Sequence, residues 1–178
     1  MRPGQAKIFG LVGWSGSGKT TLMQQLLPDL IGRGYSVSTM KHSHHNFDID
    51  KPGKDSYMHR MAGAHEVLIT GAKRWALLHE NRDEMEPEMD MLLANMAPVD
   101  LVLIEGFKSH RHQKLEVHRP SVGKPLLAKD DPSIVAVASD ERLAGLSVPV
   151  LDLGNVHVIG DFIVGFCGLD GKTQNGAA

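Results

Sequence analysis

Gly13-Trp14-Ser15-Gly16-Ser17-Gly18-Lys19-Thr20 has the spacing GxxxxGK[ST], the pattern of a loop that cradles the phosphates of a nucleotide. The residue types suit the chemistry. Phosphate oxygens need backbone N–H donors at close range, so Gly13, Ser15, Gly16, Ser17 and Gly18 form the cradle, and the glycines keep bulk away from it. A helix that starts at this loop turns its unpaired N–H groups and positive dipole end toward the anion. Lys19 then reaches the β- and γ-phosphates, Thr20 ligates Mg²⁺, and the Thr21 hydroxyl meets the α-phosphate.

Three further groups stand where such a site needs them. Glu105 closes the apolar run Leu101–Ile104, and a carboxylate there holds magnesium through water or orients an attacking group. Asp100 lies at the other end of that run, about 17 Å away at roughly 3.3 Å per residue, and cannot serve the same phosphate. The polar stretch from Lys41 to Ser56 reads as a switch-like loop. In it Asp48 or Asp50 would complete the magnesium shell, Lys51 and Lys54 would meet phosphates, and His42, His44 and His45 offer a transition-metal alternative. Ser139-Asp140 follows the run Ile134–Ala138, and the Asp140 carboxylate could accept from N1 and N2 of guanine, a donor pair that adenine lacks. No NKxD guanine signature is present, and Ala128-Lys129-Asp130-Asp131, its partial echo, precedes a strand instead of following one.

These residues need a scaffold of alternating strands and helices. Lys7–Val12 reads as a buried strand, followed by a helix to about Ile31 that stops at Gly32-Arg33-Gly34, with Pro28 expected to kink or shorten it. Tyr35–Lys41 reads as the second strand, and a helix runs from Asp55 or Ser56 to about Ala62. Glu66–Thr70 and Trp75–His79 flank the turn Gly71-Ala72-Lys73-Arg74 as a strand pair. Pro87 opens an amphipathic helix carrying Met89, Leu92, Leu93 and Met96, with the methionines as core filler. Leu101–Ile104 and Ile134–Ala138 have the unbroken apolarity of parallel strands covered on both faces, whereas Lys114–Arg119 alternates as a more exposed strand does. Val148–Leu153 is a short strand that Pro149 favours as an edge, and Ile159–Phe166 a last helix. The pattern gives an α/β fold of the P-loop NTPase type: a mostly parallel sheet flanked by helices on both faces, with an added antiparallel strand pair. Residues 1–169 are read as one nucleotide-binding domain and 170–178 as a flexible tail.

The chain has 178 residues, is 42% hydrophobic and 22% charged, and carries a net charge of −2, which argues against a general nucleic-acid or membrane-surface binder. Its single cysteine, Cys167, excludes an internal disulfide framework and fits a reducing cytosol. No apolar run reaches the ~20 residues of a membrane span, and the expected location is cytoplasmic.

The loop Gly13–Thr21, the block from Lys41-His42-Ser43-His44-His45 through Asp48-Ile49-Asp50-Lys51-Pro52-Gly53-Lys54-Asp55-Ser56, Arg74-Trp75-Ala76-Leu77, Glu105-Gly106-Phe107-Lys108 and Ala136-Val137-Ala138-Ser139-Asp140 together resemble the MobB family, molybdopterin-guanine dinucleotide biosynthesis adaptor proteins. The resemblance spans about residues 5–168. It implies a GTP-binding protein with weak intrinsic hydrolysis, working beside the guanylyltransferase that joins GMP to molybdopterin. It also implies a homodimer, to which the Glu66–His79 pair would contribute. Lys41, Lys51, Lys54 and Lys108 are candidate contacts for molybdopterin, its guanine dinucleotide or its carrier. Two other readings use the same loop: a small-molecule kinase with His44 or Asp48 as base, and a GTP-dependent metal chaperone using His42–His45.

Overall fold

Lys7–Val12 (β1) and Leu101–Glu105 (β5) are apolar enough to lie inside a sheet, and they pair in parallel, Lys7 opposite Leu101 and Leu11 opposite Glu105. The computed structural model describes residues 6–43, 47–108 and 110–169. They fall into two compact units, one built from Met1–His42 and Pro98–Ala178, the other from Ser43–Ala97.

The first unit is a six-stranded parallel sheet in the order β2-β5-β1-β6-β7-β8, where β2 is Val37–Lys41, β6 Lys114–His118, β7 Ile134–Ser139 and β8 Val150–Asp152. Helices α1 (Lys19–Gly32) and α4 (Val156–Cys167) share one core with Phe9, Leu11, Leu103, Leu115 and Val117. Gly160 lets α4 approach α1 closely, since a Cβ there would meet Asp29 and Arg33. Arg33 fastens the contact, binding Asp29 at 2.7 Å and Asp161 at 2.6 Å.

Three expectations need correction. Pro28 neither ends nor splits α1: it is exposed, so its missing N–H costs a bond on the wet side, while Leu22, Met23, Leu26 and Leu30 carry the helix across it. α4 begins three residues early because the Asn155 side chain caps it, accepting from Val158 N at 3.2 Å. The third concerns β6, which is not an exposed strand. All five of its residues are buried, between β1 and β7. Its polar side chains are satisfied from within: Lys114 Nζ donates to Lys108 O at 2.9 Å and Asp131 at 3.0 Å. Glu116 accepts from Leu127 N and Ala128 N at 2.9 and 2.8 Å. These bonds hold down the connections on both sides of β6, including the single-turn 3₁₀ helix Leu127–Lys129, which follows a first such turn at Pro120–Val122. Gly10 makes room for the crossover from β5, because a Cβ there would collide with the His112 ring.

The second unit contains α2 (Asp55–Met61), the antiparallel pair β3 (Glu66–Gly71) and β4 (Arg74–His79), and α3 (Met89–Ala94). The hairpin register sets Leu68 opposite Leu77 and Thr70 opposite Trp75. α3 starts after Pro87, and Met89 alone of its apolar side chains is buried. Among the described residues no helix is long and apolar enough to cross a membrane.

Candidate nucleotide site

The loop leaves β1 at Gly13 with φ +146°, and a Cβ there would strike the carbonyl of Val117, so the turn admits only glycine. Gly16 and Gly18 also have positive φ, +82° and +98°. The space a Gly16 side chain would enter is empty to 4 Å, which leaves the cradle open. Ser17 N bonds Trp14 O at 3.2 Å and closes the loop on itself, and Leu22 N bonds Gly18 O at 2.9 Å as α1 begins. Ser15 and Thr21 face solvent, while Ser17 is buried and its hydroxyl has no hydrogen-bond partner among the described residues.

Lys19 folds across the loop, its Nζ donating to Gly13 O at 3.0 Å and Trp14 O at 2.9 Å. Partial burial pulls its pKa below the ordinary lysine value; Glu105 opposes this, and the neighbouring Lys108 and Lys41 add to the depression. Three lysines on one mouth want an anion. On the β5 side, Thr20 Oγ1 donates to Glu105 Oε1 at 3.1 Å, and Lys41 Nζ stands 3.7 Å from the same oxygen. A hydroxyl and a carboxylate converging beside a phosphate loop form a hard oxygen pair suited to Mg²⁺. The open cradle, the lysine lying over it and this oxygen pair fit a magnesium nucleotide.

On the β6 side stands a residue that the sequence reading missed. Arg119, just past β6, donates from Nε to Ser17 O at 3.2 Å and from NH1 to Asp140 Oδ2 at 2.5 Å. Had β6 been read as interior, the rule that ligands gather at the carboxyl ends of parallel strands would have pointed to it. Asp140 therefore does lie beside the loop, joined to it through an arginine. Trp14 Nε1 donates to Pro125 O at 2.8 Å, and Lys108 Nζ sits 4.3 Å from its ring centroid. The partial echo at 128–131 has a structural task, because Asp131 pairs with Lys114 and accepts from Ser133.

Asp48 and Asp50 belong to the second unit. There Arg60 binds Asp48 at 2.7 Å, Asp50 at 2.8 Å and Glu80 at 3.3 Å, and its hydrogen bond to Asp50 leads the effects that raise its pKa. A cavity of about 810 Å³ in that unit is lined by Phe47, Asp48, Asp50, Arg60 and Glu86 among others. Lys51 and Lys54 are exposed. In the first unit, the His42 ring packs on Phe107 with centroids 4.7 Å apart, while His44 and His45 lie outside the described residues, as does the tail 170–178. Among the described residues no three His, Cys, Asp or Glu side chains group to hold a metal ion.

Comparison with known proteins places this geometry. Residues 8–140 match the family model of MobB, molybdopterin guanine dinucleotide synthesis protein B. The molybdopterin-guanine dinucleotide biosynthesis adapter protein of Escherichia coli K12 is 41% identical over 160 residues, covering 88% of this chain and 91% of its own. Its Haemophilus influenzae counterpart is 40% identical over 164 residues, covering 89% and 88%. The crystal structure of a MobB homologue from Bacillus stearothermophilus superposes with a TM-score of 0.67 at 26% identity, over 91% of this chain and 98% of that one. The phosphate loop, the mostly parallel sheet and the separate strand pair are thus those of a known group, and the chain belongs to the MobB family.

Proposed function

We propose that this protein is an adapter in molybdopterin-guanine dinucleotide biosynthesis that binds GTP with magnesium and works beside the guanylyltransferase of that pathway in the cytoplasm. The adapter role follows the names of its relatives. GTP binding is supported chiefly by one observation: Lys19 spans an open phosphate cradle whose neighbouring hydroxyl, Thr20, meets the Glu105 carboxylate at 3.1 Å. In this reading Gly13, Ser15, Gly16, Ser17, Gly18 and Thr21 hold the phosphates, Thr20 and Glu105 hold the magnesium ion, and Asp140 reads the base. Hydrolysis is slow, and binding serves the partner more than turnover. Lys41 and Lys108 beside the loop supply positive charge for an anionic pterin or its carrier. A homodimer forms through the hairpin, whose Leu68, Trp75 and Leu77 are exposed in the single chain.

Lys19→Ala is expected to weaken GTP binding by roughly 100-fold, the loss of a charge-assisted contact to two phosphates, with an unchanged melting temperature. Titration calorimetry with GTP and ATP, with and without magnesium, checks this. Undiminished binding by the folded variant would refute the site, and equal affinity for GTP and ATP would refute the base assignment. Because Lys19 binds phosphate as a cation and its pKa is lowered, affinity should decline with rising pH earlier than at an ordinary lysine site.

A further inference from the structure

A carboxylate that reads a base must be aimed, and its charge must be balanced once the base displaces water. Asp140 follows β7, and Arg119 meets it at 2.5 Å through NH1. The same guanidinium is pinned from its other side, Nε donating to Ser17 O at 3.2 Å inside the phosphate loop. It lies against Gly18, where a Cβ would stand 3.4 Å from Nε and 3.6 Å from NH2, so a glycine there lets it sit close to the start of α1. NH2 has no hydrogen-bond partner among the described residues. One rigid fork thus touches the phosphate end of the site and the candidate base reader, with one nitrogen to spare beside the loop. A lysine, with one nitrogen, could not hold both ends.

We propose that Arg119 couples the two ends of the nucleotide site. NH2 takes an oxygen of the α-phosphate, while the tie from NH1 holds the Asp140 carboxylate where it accepts from N1–H and N2–H of guanine. Arg119 touches no base atom, yet the preference for guanine over adenine depends on it; toward the base it is a positioning residue. The inference rests on the loop and Asp140 having the roles given under the proposed function.

The test is calorimetric binding of GDP and ADP to the full chain and to Arg119→Ala, Arg119→Lys, Asp140→Asn and Arg119→Ala/Asp140→Asn, each checked by thermal melting. Arg119→Ala should weaken GDP about tenfold or more, the scale of one charge-assisted bond, and lower the GDP-to-ADP affinity ratio by about tenfold. Arg119→Lys should recover much of the GDP affinity but not the ratio, and it decides the matter if the alanine variant does not fold. Asp140→Asn should lower the ratio, and the double variant should lower it no further. A wild-type ratio in both Arg119 variants, or losses that multiply in the double variant, would overturn the coupling while leaving the nucleotide site intact. Equal GDP and ADP affinity in the unaltered protein would overturn Asp140 as base reader and the coupling with it, and no nucleotide binding at all would overturn the proposed function as well.

Discussion

The strands at the centre of the sheet unit hide their large apolar side chains, with Phe9, Leu11, Leu103 and Ile104 all at 0% exposure; the hairpin unit leaves Leu68 at 61% and Trp75 at 68%. Both units use strands of similar length. What differs is their cover. β1 and β5 lie inside a sheet and pack against helices, so burial holds them, whereas among the described residues β3 and β4 have only each other as strand neighbours. Two strands alone are marginal in water, and polar ties such as Arg60 with its three carboxylates take a larger share of the work. The sheet unit buries its strands within one chain; under the proposed dimer, a second copy covers the hairpin face.

Paired substitutions press hardest on that contrast. Leu103→Ala should cost about 3–4 kcal/mol in denaturant unfolding at any protein concentration, whereas Leu68→Ala should cost under ~1 kcal/mol in dilute solution and more as concentration rises. A concentration-independent Leu68 effect would mean that the hairpin face is not covered by a second copy. Next in size, Trp75→Asp should weaken self-association by roughly 2 kcal/mol, read by sedimentation, while leaving GTP binding alone. A third effect tests the sheet unit by pH. Burial, with the charges of Lys114 and His110, lowers the His112 pKa from 6.5 to about 4. The unfolded chain therefore takes up this proton first, and the stability involved is present above about pH 6.5 and lost as the pH falls toward 4. His112→Gln should flatten that part of the stability profile. Smallest is the loss of a helix cap: Asn155→Ala should cost about 1 kcal/mol.

The phosphate loop, the strand order along the chain and the hairpin with its turn were legible in the residues, because each is set by local chemistry: glycine spacing, apolar runs, a four-residue turn. The meeting of Thr20 with Glu105 was legible too, since parallel strands bring their carboxyl ends to one edge. β6 misled for a physical reason. Lys114, Glu116 and His118 look like a wet face, and their partners, Lys108 O, Asp131 and the amides of Leu127 and Ala128, come from connections that no periodicity predicts. Arg119 was missed for the same cause, its bonds to Ser17 and Asp140 being long-range. The separation of Ser43–Ala97 as its own unit was hidden because its elements read like any others in an alternating pattern.

The pairing of β1 with β5 also has a consequence in time. Lys7 waits for Leu101, about ninety residues downstream, and the other neighbour of β1 comes later still. At roughly 5–20 residues per second on the ribosome, β1 stays without sheet partners for about 5–20 s. Arg119, which grips the loop at Ser17, is made after both neighbours of β1. The phosphate-loop segment is therefore synthesised well before the strands that shape it, so a nascent chain cut short before β6 would carry the loop sequence without its scaffold.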